Sequence, residues 1–259
     1  MPERQRQLSP TDPSVRSPLP DPLPAGPGEG IRVAVVTGAG RGIGRATAVE
    51  LSKRGYAVAL VARTASQLHE TAKLCDGETV TLPLDVRHPA AIAGAVEKIL
   101  ARFGRIDALV NNAGVAPLGP FGDTDAATYD DVLATNLGAT VHFSRAVWPI
   151  MTAAKSGVIV NVSSESARDP FPGFALYAAA KSAINGFTKA LAKEAEPLGV
   201  RVHCVAPAGV ETAMLRAIAD ETVVPKDKTL SPADVAKTIV ACVVGDLAAT
   251  SGETIYLHR

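Results

Sequence analysis

The chain has 259 residues, of which 47% are hydrophobic and 20% charged, and its formal net charge is zero. That length buries a full core without disulfide or metal staples. The charge balance argues against a partner recognised mainly by electrostatics, such as nucleic acid or an anionic membrane.

Residues 1–30 differ from everything after them. Pro10, Pro13, Pro18, Pro20, Pro22, Pro24 and Pro27 punctuate a segment with almost no apolar periodicity. Such a segment buries too little surface to offset its ordering entropy, so a disordered tail is expected. A transit peptide fits badly, because Glu3, Asp12 and Asp21 interrupt it. No apolar run reaches membrane-spanning length and no signal-peptide segment opens the chain, so a cytoplasmic location is expected. Cys75, Cys204 and Cys242 are odd in number and lack metal-ligand spacing, which suits small core residues in a reducing compartment.

The folded domain is expected over 31–259. Ile31 to Thr37 is a continuous apolar run, the mark of a strand buried on both faces. A glycine-rich turn leads from it into a helix through about Lys53. A second strand (Tyr56 to Ala62) and a helix (Ala65 to Leu74) follow, then a third strand (Thr79 to Leu84) and a helix from Pro89 to Phe103. Ala108 to Asn111 is the fourth strand, and a long helical region covers most of Ala126 to Ala154. Val158 to Val162, Arg201 to Ala206 and Thr254 to Leu257 supply three more strands. Between them lie a helix from Phe174 to Ala195 and one opened by Ser231 as N-cap with Pro232 at its first position. This alternation predicts a doubly wound, Rossmann-type parallel α/β sheet of about seven strands with helices on both faces.

Gly38, Arg41, Gly42, Ile43 and Gly44 form the turn after the first strand. Glycines there let the backbone approach a pyrophosphate, which then sits at the positive helix N-terminus. After the second strand, an acid would bond the ribose hydroxyls, whereas arginine suits a 2′-phosphate. The chain reads Val61-Ala62-Arg63-Thr64, with Arg41 as a second nearby cation. NADP(H) is therefore the expected cofactor, ahead of NAD(H).

Further on, Tyr177 and Lys181 are separated by three alanines, strong helix formers, which places both side chains on one helical face. A phenol titrates near 10, and lowering it to near 7 takes roughly 4 kcal/mol. A fixed ammonium one turn away supplies part of that. Ser164 follows a buried strand and so stands at a strand's carboxyl end, where ligands bind in open α/β sheets. A helix surface that happens to carry Tyr and Lys is the bland alternative, and the serine and the glycine turn argue against it.

With Ser164 thirteen residues before Tyr177 and the glycine turn spaced Gly38-x-x-x-Gly42-x-Gly44, the chain resembles the short-chain dehydrogenase/reductase family in its short branch. The likeness runs from Ile31 to the C-terminus. It implies that Tyr177 is the proton donor or acceptor, that Lys181 tunes it and holds the nicotinamide ribose, that Ser164 bonds the substrate oxygen and that Asn136 orders a water. By the same resemblance Asp85 and Val86 meet the adenine and Asn112, Ala113 and Gly114 lie behind the cofactor. Pro207, Val210 and Thr212 would sit by the carboxamide. Two features depart from the family's pattern: Ala208 stands where it usually has glycine, and the tail Ile255-Tyr256-Leu257-His258-Arg259 lacks a glycine pair that many relatives carry.

The resemblance implies an oxidoreductase acting on a small carbonyl or secondary alcohol, and a homo-oligomer, dimer or tetramer. Similar enzymes reduce 3-oxoacyl thioesters on a carrier protein. That role would need a basic patch, to which Lys155 could contribute, but Leu198 stands where a second cation is expected. A non-enzymatic dinucleotide-binding sensor or scaffold is the alternative from another class. Such proteins typically lose the Tyr or the Lys.

Overall fold

The structure, a computed structural model, describes residues 30–259. The tail expected to be disordered therefore lies, Gly30 apart, outside the described residues. Seven strands form one parallel sheet in the order β3-β2-β1-β4-β5-β6-β7. They are β1 (Arg32–Thr37), β2 (Tyr56–Ala62), β3 (Thr79–Pro83), β4 (Ala108–Asn111), β5 (Gly157–Val162), β6 (Val200–Pro207) and β7 (Thr254–Leu257). The order reverses between β1 and β4, whose pairing runs Ala34 to Ala108 through Val36 to Val110. That switch point opens a crevice at the strands' carboxyl ends.

Continuous apolar runs form the central strands because both sheet faces are covered. On one face, β-strand residues such as Val35, Leu109 and Ile159 pack with Ile92, Ile99, Phe143 and Met151. These come from α3 (Pro89–Phe103) and α5 (Ala139–Ala153), and α6 (Ala175–Ala195) completes the layer through Ala192 and Ala195. On the other face, Val36, Leu60 and Val160 pack with Leu51 of α1 (Gly42–Lys53), Leu68 of α2 (Ala65–Ala72) and Ile239 of α8 (Pro232–Val244). Local signals set the helix ends. Pro89 starts α3, and Gly104 ends it at φ 73°. A reciprocal capping box between Ser231 and Asp234 opens α8.

Three expectations need correction. The helical region expected over 126–154 is not uniform: α4 (Ala126–Val132) and α5 flank a π-helical turn, Leu133–Gly138. Helix α2 stops at Ala72 and β3 at Pro83, each slightly short of its apolar run. Cys75 is only half-buried, whereas Cys204 and Cys242 are core residues. Among the described residues, no helix is long and apolar enough to cross a membrane.

His203, in the middle of β6, is fully buried. Its Nδ1 lies 3.1 Å from Thr250 Oγ1, and its Nε2 has no partner among the described residues. Burial, helped by the nearby Arg201 charge, pulls the imidazole from 6.5 down to about 4. The unfolded chain thus takes up this proton first as the pH falls. The resulting stability is present above about pH 6.5 and is lost towards pH 4, by about 3 kcal/mol in all. Urea titrations across this range should show His203→Asn losing less stability on acidification than wild type. Parallel losses would refute the assignment.

Candidate active site

The glycine turn closes on itself tightly. Gly38 and Gly42 adopt φ of 67° and 54°, open to glycine at little cost. A Cβ on Gly44 would collide with the Gly38 carbonyl. The turn is held from the neighbouring strand: Thr37 Oγ1 accepts the Asn112 and Ala113 N–H groups at 2.9 and 3.0 Å, and Asn112 Nδ2 donates to the Thr37 carbonyl at 2.9 Å. No side chain caps the first turn of α1 and no acid lies in it. Its N–H groups are therefore open to an anion, and the cradle fits a dinucleotide's pyrophosphate.

A cavity of about 1080 Å³ runs from this cradle across the carboxyl ends of the strands. Gly38, Arg41, Gly42, Ile43, Arg63, Asp85, Val86, Asn112, Ala113, Gly114, Asn136, Ser164, Tyr177, Lys181, Pro207, Val210 and Thr212 all line it. Gly44 does not; its place in the motif is close packing behind the turn. Arg41 and Arg63 are exposed, and neither has an ion-pair partner among the described residues. The Asp85 carboxylate is already engaged by Arg87, at 2.5 to 3.0 Å. Those hydrogen bonds hold it down at about 2. Arg87 also reaches Asp131 at 2.9 Å, tying the β3 end to α4.

At the other end of the cavity, Ser164 caps the short turn Glu165–Ala167, its Oγ accepting the Ser166 N–H at 3.1 Å. Tyr177 lies in the first turn of α6, its ring 5.5 Å from that of Phe174. Burial pushes its phenol above 10, and a hydrogen bond with Ser164 draws it partly back. Lys181 is buried and donates to the Val162 carbonyl at 2.7 Å. Its Nζ lies 5.6 Å from the Tyr177 ring centre. Burial lowers this ammonium to about 8, so it is still mostly charged at neutral pH.

Asn136 sits in the π-helical turn, fully buried, with Nδ2 donating to the Val115 and Val132 carbonyls at 2.9 and 3.0 Å. Such turns insert one residue and re-aim its neighbours, often at functional sites. A Cβ on Gly114 would lie 2.6 Å from Asn136 Oδ1 and 3.7 Å from Lys181 Nζ, so glycine there lets the two side chains converge. Ala208 causes no strain, since Lys155 is the one non-glycine residue with positive φ among those described. Thr212 caps α7 (Ala213–Arg216), its Oγ1 accepting the Leu215 N–H at 3.3 Å.

Sequence reasoning missed a polar seam beneath the site. Asn111 and Asn161 are register partners on β4 and β5, bonded at 2.9 Å. They are completed by Ser144 of α5 and Thr188 of α6. The signal was present: Asn161 interrupts the apolar run of β5.

The comparisons with known proteins agree with this geometry. The family model described as short chain dehydrogenase matches residues 32–222. The 3-oxoacyl-(acyl-carrier-protein) reductase FabG of Escherichia coli (strain K12) is 34% identical over 233 residues, covering 88% of this chain and 96% of its own. A monensin polyketide synthase putative ketoacyl reductase from Streptomyces virginiae is 42% identical over 192 residues, covering 72% of this chain and 74% of its own. Among solved structures, the 3-ketoacyl-(acyl-carrier-protein) reductase from Brucella melitensis complexed with NADH superposes with a TM-score of 0.84. It is 28% identical, and the match covers 88% of this chain and 97% of that one. A glycine cradle at the β1/β4 switch point and a match of this extent have one common explanation: the chain belongs to the short-chain dehydrogenase family.

Proposed function

We propose that the protein is an NADP(H)-dependent oxidoreductase that interconverts a ketone and a secondary alcohol, with Tyr177 as general acid in the reductive direction. The observation that carries this is the meeting of Ser164, Tyr177 and Lys181 in the cavity that also contains the phosphate cradle. The bound nicotinamide supplies or accepts the hydride. Ser164 holds the carbonyl oxygen, and Tyr177 protonates it as it becomes an alkoxide. Lys181, cationic at neutral pH, favours the phenolate left behind and holds the ribose. Arg63 and Arg41 face the adenosine end and take the 2′-phosphate. The protein works as a homo-oligomer.

The substrate end of the cavity supports a neutral, apolar ketone. Phe171, Phe174, Met214, Leu215 and Ile218 line it. The acids there are already paired, Glu165 with Arg168 and Glu211 with Arg216. No unpaired cation lines this wall among the described residues, so an anionic substrate would be desolvated without compensation. NADPH consumption should be measured with neutral ketones and with carboxylate-bearing counterparts of equal size. Faster turnover of the neutral member of each pair is expected; preference for the anions would contradict this reading. No turnover with any ketone would favour the sensor alternative.

A second reading, reduction of a 3-oxoacyl thioester, is favoured by the similarity to the reductases from Escherichia coli and Streptomyces virginiae. Against it, Leu198 is 38% exposed where a second carrier-binding cation is expected. Including a 3-oxoacyl thioester in the same panel tests it.

A further inference from the structure

We propose that Arg168 and the C-terminal tail form a clamp that positions the turn carrying Ser164, so that Arg168 is a positioning residue for the substrate oxygen. The inference rests on the reading of Ser164 given above. Its basis is a set of contacts joining parts of the chain that are distant in sequence.

The Ser164 side chain is oriented by the turn it caps, because its Oγ accepts the Ser166 N–H. Arg168 closes that turn, with Nε and Nη2 donating to Glu165 Oε1 at 3.1 and 2.7 Å. The same guanidinium lies over the Tyr256 ring, 4.1 Å from its centre, and its Nη2 is 3.1 Å from His258 Nε2. A planar, delocalised cation is suited to hold an ion pair and an aromatic face at once.

The tail is anchored on both sides of the site. Tyr256 Oη accepts from Asn185 Nδ2 at 3.2 Å, one helical turn beyond Lys181 on α6. Arg259 Nη1 donates to the Thr229 carbonyl at 2.9 Å, beside the Val210–Leu230 bridge. Residues 256–259 therefore connect the Ser164 turn, the helix bearing Tyr177 and Lys181, and the opposite wall. Glycines at these positions would supply none of the side-chain contacts.

Glu165 shows that the cluster has more than surface character. Its Oε2 is buried without a hydrogen-bond donor among the described residues, and His258 Nε2 lies 3.5 Å from it. An acceptor kept in that state needs its surroundings held in place, since a buried polar group without a partner is unfavourable. Arg168 and the tail provide that hold.

The test uses the full chain with a ketone that the wild type reduces. Arg168→Met should lower kcat/KM for the ketone about tenfold, since small displacements of positioning groups are costly. NADPH affinity, sedimentation and melting temperature should stay unchanged. Arg168→Lys keeps the charge without the planar fork and should recover part of the loss. In a cycle with His258→Gly the two losses should be non-additive. Amide hydrogen exchange at Ser166 and Ala167 should accelerate in Arg168→Met, a readout independent of turnover.

Exchange and kcat/KM both unchanged would overturn the clamp, as would a loss matched by lower melting temperature or weaker NADPH binding. Should the wild type reduce no ketone, the functional reading fails, and the exchange rates still decide whether the clamp exists.

Discussion

Tyr177→Phe should lower turnover by a factor of about 10² to 10⁴, the range that a positioned general acid contributes. NADPH should bind the variant nearly as well as the wild type. The substitution removes one hydroxyl from a site whose packing is set by the ring, which keeps its contact with Phe174. What disappears is the proton donor beside Ser164. Burial holds the phenol protonated in the free protein, so the acid is already loaded when a ketone enters. Lys181→Ala should behave differently. It deletes both the charge near the phenol and the bond to the Val162 carbonyl, so turnover and cofactor affinity should fall together. Steady-state kinetics and fluorescence titration with NADPH check both variants. Near-wild-type turnover by Tyr177→Phe would remove the tyrosine from the mechanism.

NADPH should bind about ten- to a hundredfold more tightly than NADH if one arginine engages the 2′-phosphate. A charge-assisted hydrogen bond is worth roughly 1.5–3 kcal/mol, and about 1.4 kcal/mol is tenfold in affinity. Arg63 is exposed at the end of β2, and Arg41 is exposed in the glycine turn, so both are free to reach a phosphate. Ala62→Asp combined with Arg63→Ile removes one cation and places a carboxylate at the strand end, which should reverse the preference. Dissociation constants for both cofactors should be compared at one stated salt concentration, because the effect is electrostatic. Equal affinities in the unmodified protein would mean that both guanidinium groups stay in solvent.

The layered sheet was legible in the sequence because its signals are local. Apolar runs such as Val33 to Val36 and Val158 to Val160 can only be strands covered on both faces. Pro89, Gly104, Ser231 and Pro232 mark helix ends through their own backbone and side-chain chemistry. The spacings of Gly38, Gly42 and Gly44, and of Tyr177 and Lys181, were readable for the same reason, since one turn or one helical face sets each of them.

Other features depend on partners far along the chain. The π-helical turn at Leu133–Gly138 has no local signature, and its Asn136 bonds to Val115, which no periodicity places beside it. The pairing of Asn111 with Asn161 follows from strand register across 50 residues. Asp85 carries no sign in its own segment of the bridge that Arg87 makes to Asp131. The strongest case is the tail: Tyr256 and His258 reach Arg168 only because β7 pairs with β6 at the sheet edge, and β6 in turn pairs with β5, from which the Ser164 turn emerges. Local propensity decided which segments are strands and helices. Tertiary packing decided which side chains meet, because a contact between distant segments is selected by the energy of the whole fold and leaves no periodic trace in either segment.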